Sequence, residues 1–290
     1  MDRASPTPLP TSSVYTAASP ALAKQDALDA MLRGYGSVLV GYSGGVDSVY
    51  LAVRAADVLG AQQVLAVTGT SAAYPDAHRD VARGCARSFG VPHLEIATDE
   101  LSDPAYIANA PDRCYHCKSE LWTRLATLAR EREFAVVLDG SNADDANDHR
   151  PGMRAAHELG VRSPLLVAGL SKQDIRVLSR ARGLPTWDQP ASPCLSSRIV
   201  YGLAVTPERL RAIETAERAL RALGFRELRV RHHGDAARIE VEPAEIERAL
   251  QLRVQLSDAV RAAGFQRVLL DVDGYRRGAL NEAPVVPAAR

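Results

Sequence analysis

The apolar run Ser37-Val38-Leu39-Val40 leads into Gly41-Tyr42-Ser43-Gly44-Gly45-Val46-Asp47-Ser48, and that into Val49-Tyr50-Leu51-Ala52-Val53-Arg54-Ala55-Ala56. The first stretch reads as a buried parallel strand and the last as a helix. The glycines therefore fall in a strand-to-helix turn, the edge of an open α/β sheet at which ligands bind. Gly44 and Gly45 let the backbone approach an anion closely and take positive φ. The Ser43 and Ser48 hydroxyls, the loop amides and the helix N-terminus can all face phosphate oxygens. Asp47 belongs to the same candidate phosphate site.

Strands and helices alternate beyond this turn. Val64–Thr68, Leu94–Thr98 and Ala135–Asp139 read as strands, and Asp76–Phe89 and Tyr115–Glu133 as helices. That alternation predicts a parallel sheet covered on both faces. Leu22, Leu28, Met31 and Leu32 mark a preceding helix over residues 21–33, stopped by Gly34. Ser163–Leu170 is ambiguous between strand and loop, and Ser171–Arg182 reads as a helix. Residues 186–204 read as an irregular functional loop. After Thr206-Pro207-Glu208, a good helix start, the pattern changes. A helix at 207–223, alternating strands at 228–232 and 238–242, a hairpin turn at His233-Gly234-Asp235, a helix at Pro243–Ala263 and a last strand at 268–272 predict a small α+β domain with an antiparallel sheet. The expected organisation is a mobile tail at 1–20, an α/β domain at 21–204 that carries the glycine turn, the α+β domain at 205–280 and a loose tail at 281–290.

The 290 residues are 46% hydrophobic, which allows a sizeable core. The 35 basic and 35 acidic residues cancel, which argues against a protein built to coat nucleic acid. No run approaches the length of a membrane span, and the first residues lack a signal-peptide pattern. Four cysteines in so long a chain do not suggest a disulfide framework, so a reducing cytoplasm is expected.

Three further stretches carry chemistry. Asp139-Gly140-Ser141-Asn142-Ala143-Asp144-Asp145 follows the fourth strand, at the sheet edge that carries Ser43. Carboxylates such as Asp139 and Asp144 there could hold Mg²⁺ against ATP phosphates, or could be plain turn formers. Cys114-Tyr115-His116-Cys117-Lys118 is a C-x-x-C at a helix start, a position that favours thiolates. Cys194 lies in Pro193-Cys194-Leu195-Ser196-Ser197-Arg198. Three thiols admit three readings: a zinc site completed by His116, a redox pair, or a [4Fe–4S] cluster with one iron open to an exogenous ligand. Cys85, inside a helix, reads as a small buried hydrophobe.

Ser43-Gly44-Gly45-Val46-Asp47-Ser48 lacks the lysine of a G-x-x-x-x-G-K-[ST] loop and resembles the signature of the PP-loop pyrophosphatases. That superfamily holds the pyrophosphate half of ATP in this loop and moves AMP onto a substrate oxygen. Lys172 matches a lysine that meets phosphate at a helix start in those enzymes. Together with Asp112–Lys118, Asp139–Asp145, Pro193–Arg198 and Arg229-Val230-Arg231, the chain resembles the LarE family of ATP-dependent sulfur transferases over about residues 25–275. The resemblance implies adenylation of both carboxylates of pyridinium-3,5-biscarboxylic acid mononucleotide and their conversion to thiocarboxylates, in building the nickel-pincer cofactor of lactate racemase. Cys194 matches the position of a cysteine that gives up its sulfur in one version of the family. Cys114 and Cys117 beside it resemble the version in which three cysteines hold a [4Fe–4S] cluster. On this reading Ser197, Arg198, Arg229 and Arg231 grip the substrate phosphate or carboxylates, bidentate work that suits Arg. For the arginines, the plain alternative is a solvated strand face. The resemblance also implies ATP and Mg²⁺ as cofactors and a homo-oligomer, trimer or hexamer. A tRNA thiolase, an amide-forming PP-loop ligase and a zinc-stabilised nucleotide-binding protein are the competing classes.

Overall fold

The computed structural model describes residues 20–147, 151–190 and 193–276. Helix α1 (Pro20–Tyr35) precedes β1 (Val38–Gly41), and α2 (Val46–Leu59) follows the glycine turn. Next come β2 (Val64–Thr70), α3 (Asp76–Ser88), β3 (His93–Ala97), the one-turn α4 (Pro104–Ile107), α5 (Arg113–Glu131) and β4 (Val136–Leu138). Helices α6 (Pro151–Glu158), α7 (Pro164–Val167) and α8 (Lys172–Ala181) complete this half. The stretch left open between strand and loop at 163–170 is thus mostly the short helix α7, started by Pro164. The tails read at 1–20 and 281–290 lie, Pro20 aside, outside the described residues.

The first sheet is wholly parallel in the order β3-β2-β1-β4, with Leu39 paired to both Leu65 and Val137. Side chains alternate across it, as the two-residue period of a strand requires. Val38, Val40, Val64 and Ala66 pack into a core with α1, α2, α3 and α8. Leu39, Leu65 and Val67 face the opposite side, against Trp122 and Leu125 of α5 and Ala155 of α6. The chain leaves β1 for β2 on one flank and returns to it as β4 on the other. That reversal opens a crevice at the carboxyl ends of β1 and β4, the usual ligand position in such sheets.

The second half comprises α9 (Pro207–Ala222), β5 (Leu228–His233), β6 (Ala236–Val241), α10 (Ile246–Gln251), α11 (Arg253–Ala262) and β7 (Arg267–Leu270). Strands β5 and β6 form the expected hairpin, with Gly234 at φ 78° in its turn. Strand β7 runs parallel to β6, not antiparallel as expected. The reason lies in the connection: α10 and α11 carry the chain back to the start of the sheet, and a helical crossover of this length makes a parallel pair. The single helix read over 243–263 breaks at Leu252 into α10 and α11, after a 3-10 turn at Pro243–Glu245. The core of this half is not closed at residue 205. It takes in Ala73, Tyr106, Leu195 and Ile199 from earlier segments. Among the described residues no helix is long and apolar enough to cross a membrane.

Candidate active site

Two clusters of functional side chains open at the carboxyl end of the parallel sheet. The first is the glycine turn. Gly44 has φ 72°, and a Cβ there would lie 3.0 Å from the His78 carbonyl oxygen, so the turn needs glycine on both counts. Gly45 caps α2 without a side-chain hydrogen bond, which leaves the first amides of the helix directed at the crevice. The Ser43 amide donates to Ser48 Oγ (3.2 Å), and Ser48 Oγ donates to the Gly45 carbonyl (3.1 Å), closing the loop on itself. The Ser43 side chain is exposed and touches Ser48 Oγ at 3.1 Å. Tyr74, beyond β2, braces the loop by donating to the Ser43 carbonyl (3.0 Å).

The β4 end completes this cluster. At Gly140 the backbone passes so close to α2 that a Cβ would sit 3.2 Å from the Ser48 amide nitrogen. Asp139 is buried and accepts from the Ser141 amide (3.1 Å) and the Ser141 hydroxyl (3.0 Å). Asp144 is exposed and accepts from the Lys172 amide (2.9 Å). Lys172 reaches across to Asp47, Nζ to Oδ2 at 2.6 Å. The helix that presents Lys172 starts from a full capping box, Ser171 with Asp174, and Lys24 of α1 pairs with Asp174 at 2.6 Å. Burial raises the Asp47 pKa, against the pull of Lys172, and Asp47 Oδ1 is buried with no partner. Of the acids past β4, the buried Asp145 lies in the electrostatic field of Asp47, but among the described residues no three His, Cys, Asp or Glu side chains stand close enough to hold a cation here.

The second cluster gathers the cysteines. Cys114 and Cys117 lie one turn apart in the first turns of α5, and Cys194 lies in the loop after α8. The loop reaches them through the backbone: the Leu195 amide donates to the Ala73 carbonyl (2.9 Å), in the segment that leaves β2. Tyr106 Oη and Ser196 Oγ share a buried hydrogen bond of 2.5 Å. Arg113, 3% exposed, donates to the Ser196 carbonyl (2.8 Å) and to Asn109 Oδ1, and its other end stands 3.9 Å from Cys114 Sγ. Asn109 is wholly buried at φ 55° and gives its side-chain amide to the carbonyls of Val200 (2.8 Å), Leu203 (2.9 Å) and Ile199 (3.3 Å). Burial pushes the Cys117 thiol up to about 12, and Cys194 and Cys114 add to it. Among the described residues, however, no three His, Cys, Asp or Glu side chains stand close enough to hold a metal ion. His116 turns away from the thiols to Asp103 (3.2 Å) and Asp112 (3.6 Å).

The three arginines neither face solvent nor present a free fork, because α9 covers one side of the hairpin and the Cys194 loop lies against the other. Arg198 is wholly buried and pairs with Glu217 of α9 (2.9 Å). It also donates to the Cys194 carbonyl (2.9 Å), the Ser197 hydroxyl (3.1 Å) and the Pro193 carbonyl. Arg231 pairs with Glu240 (2.8 Å) and donates to the Ser197 carbonyl (2.9 Å). Arg229 is buried, its guanidinium 4.7 Å from the Tyr275 ring centre, and it donates to the Leu228 carbonyl at 2.6 Å. Ser197 Oγ donates to the Cys194 carbonyl at 2.7 Å. Below the loop, Ile199 bridges to His232 on the open edge of β5. Tyr106, Asn109 and Arg113 were not singled out from the sequence. Only the adjacency of Arg113 to Cys114 could have marked one of them.

Residues 23–182 match the family model described as asparagine synthase, the span that holds the glycine turn, the β4 acidic stretch and Lys172. The chain is 38% identical over 259 residues to the pyridinium-3,5-bisthiocarboxylic acid mononucleotide synthase of Lactiplantibacillus plantarum, covering 89% of this chain and 94% of that protein. It is 44% identical over 246 residues to an uncharacterised protein of Synechocystis sp., covering 84% and 91%. An uncharacterised protein of Methanocaldococcus jannaschii is 27% identical over 239 residues, covering 82% and 90%. With the asparagine-synthase family model over residues 23–182 and a likeness to the Lactiplantibacillus synthase over 89% of its own length, the chain is an ATP-dependent enzyme of the PP-loop superfamily and belongs to the LarE family.

Proposed function

We propose that this enzyme adenylates the carboxylates of pyridinium-3,5-biscarboxylic acid mononucleotide and converts them to thiocarboxylates, in the making of a nickel-pincer cofactor. The product class is that named for the Lactiplantibacillus relative. The observation that carries the reading is the docking of Leu195, next to Cys194, on the Ala73 carbonyl beyond β2. It sets a thiol-bearing loop on the same sheet edge as the phosphate turn.

In this reading the free amides of α2 and the Ser43 and Ser48 hydroxyls receive the pyrophosphate half of ATP. Lys172, balanced by Asp47, meets the phosphate charge. Asp139 and Asp144 would hold Mg²⁺, which draws off phosphate charge when bound. A substrate carboxylate oxygen attacks the α-phosphorus, the bond to the bridging oxygen breaks, and pyrophosphate leaves. The resulting acyl-adenylate is activated because AMP is a good leaving group. A sulfide or thiolate beside Cys194 then adds to its carbonyl carbon, and AMP departs. Arg198, Arg231 and Ser197 act through the loop backbone they hold, and Arg229, buried against Tyr275, supports the strand it shares with Arg231.

Cys114, Cys117 and Cys194 would hold a [4Fe–4S] cluster. The fit rests on donor chemistry alone, an exposed thiol at Cys114 with half-buried thiols at Cys117 and Cys194, and not on their present spacing. Such a cluster would present the transferable sulfide on an iron that the protein leaves open. The assembly is proposed as a cytoplasmic homo-oligomer on family resemblance. Replacing Cys194 with Ala should leave substrate-dependent pyrophosphate release near the wild-type rate and abolish thiocarboxylate formation. Wild-type sulfur transfer by that variant would overturn the assignment. Iron, sulfide and zinc analysis of anaerobically purified protein decides the cluster separately.

A further inference from the structure

A recess of about 510 Å³ shares no lining residue with either cluster. Its size falls inside the range of roughly 300–1,000 Å³ usual for small-molecule sites. Three segments distant in sequence wall it. Helix α3 gives Cys85 from its second half, the segment after α8 gives Pro185, Thr186, Asp188 and Gln189, and the turn between α9 and β5 gives Arg226. None of these has a task in the mechanism above. Helix α3 begins at the phosphate crevice, where the His78 carbonyl crowds Gly44, and the recess lies further along it.

The segment after α8 is held by its backbone. Arg176 of α8 donates to the carbonyls of Trp187 (2.9 Å) and Gln189 (2.7 Å), and the Arg180 guanidinium lies 4.8 Å from the Trp187 ring centre. Its side chains are less well provided. Thr186 is 2% exposed and its hydroxyl has no partner, and Gln189 Oε1 is buried without one. Buried polar groups are nearly always paired, so two orphans in one wall point to a ligand. Asp188 and Arg226 are exposed, and among the described residues neither side chain has a hydrogen bond or an ion pair.

The chemistry of these groups selects the ligand. Gln189 Oε1 and the Asp188 carboxylate only accept, so they ask for N–H donors, which an ammonium group supplies. Arg226 offers a fork that suits a carboxylate. Opposite charges that line one recess without meeting suit a molecule that carries both signs. Cys85 and Pro185 give its remainder an apolar wall. We infer that this recess binds a free α-amino acid with an apolar side chain, its ammonium at Asp188 and Gln189 and its carboxylate at Arg226. The Thr186 hydroxyl can pair with either group. A ligand there would tie α3, which crowds the phosphate turn, to the segment that leads toward the sulfur loop. The inference goes beyond the function proposed above and does not depend on it.

Isothermal titration calorimetry on the whole chain tests it with L-leucine, with isocaproate, which is leucine without its amino group, and with isoamylamine, which is leucine without its carboxylate. Leucine should bind once per chain. Each one-charge analogue should bind about 10-fold more weakly, the weight of a hydrogen bond to a charged group. Arg226→Gln and Asp188→Asn should each weaken leucine by a similar factor and melt as wild type does, because both side chains are exposed and unpaired. Gly84 also lines the recess, and a Cβ there would meet nothing within 4 Å. Gly84→Leu should therefore fill the recess and lose leucine binding. It should melt no lower, since leucine favours a helix over glycine. A wild-type chain with no saturable leucine binding overturns the inference. So does an analogue that binds as tightly as leucine, or wild-type affinity in Arg226→Gln, Asp188→Asn or Gly84→Leu.

Discussion

The phosphate turn and the sulfur loop meet at one sheet edge but are built by opposite means. The turn is local. Six consecutive residues, a helix start and two glycines create it, and the Ser43 side chain stands exposed. The sulfur loop is assembled at long range. Its backbone carbonyls are held by Asn109 and Arg113 from the α4–α5 junction and by Arg198 and Arg231 on the side of the smaller sheet. A binding surface made from backbone amides needs little support, whereas a chain segment without regular structure has to be held by buried side chains.

That contrast can be broken. Arg198→Ala would leave the buried Glu217 with Arg221 at 2.8 Å and the Val230 amide at 3.2 Å, and without its fully buried partner. The expected loss is about 3–5 kcal/mol of stability, read by urea unfolding, and a variant as stable as wild type would remove the claim that buried ion pairs hold the loop. Ser43→Ala should show the reverse pattern. Pyrophosphate release should slow about 100-fold, as for loss of one donor to developing charge, with the unfolding midpoint unchanged. A variant that melts early but still cleaves ATP normally would place Ser43 with the scaffold.

His78 sharpens the comparison because it touches both regions. Its carbonyl crowds Gly44, while its ring, stacked edge-on against Tyr74, lies in the field of Arg198 and Arg221. Burial first, then those arginines, lower its pKa from 6.5 to about 4. The unfolded chain therefore binds more protons between these values, so this contribution is intact above about pH 6.5 and is lost as pH falls toward 4. Melting temperature followed from pH 7 to 4.5 should fall less for His78→Gln than for wild type. Equal slopes would show that the histidine is not held neutral by its setting.

The same contrast explains what could be read from the sequence. Strand β1, the glycine turn and α2 were legible because they are contiguous and their hydrophobic periods are clear. The role of the arginines was not. Leu228-Arg229-Val230-Arg231 alternates as a half-exposed strand does, and nothing local reveals that the Cys194 loop, more than thirty residues away by sequence count, covers the second face. The parallel β6–β7 pair was missed for a different reason. Its signal, a helical connection between the strands, is present in the sequence, but the hairpin before it speaks for an antiparallel sheet. Asn109 and Tyr106 carry no motif and acquire meaning only from the carbonyl and hydroxyl groups they meet.

The core of the smaller sheet includes Tyr106, Leu195 and Ile199 beside the helices and strands that follow. Anything that loosens this core alone would free the sulfur loop while the phosphate turn, rooted in the other core, keeps its shape. On the function proposed above, a half-melted molecule of this kind would go on spending ATP and would hand its activated intermediate to water.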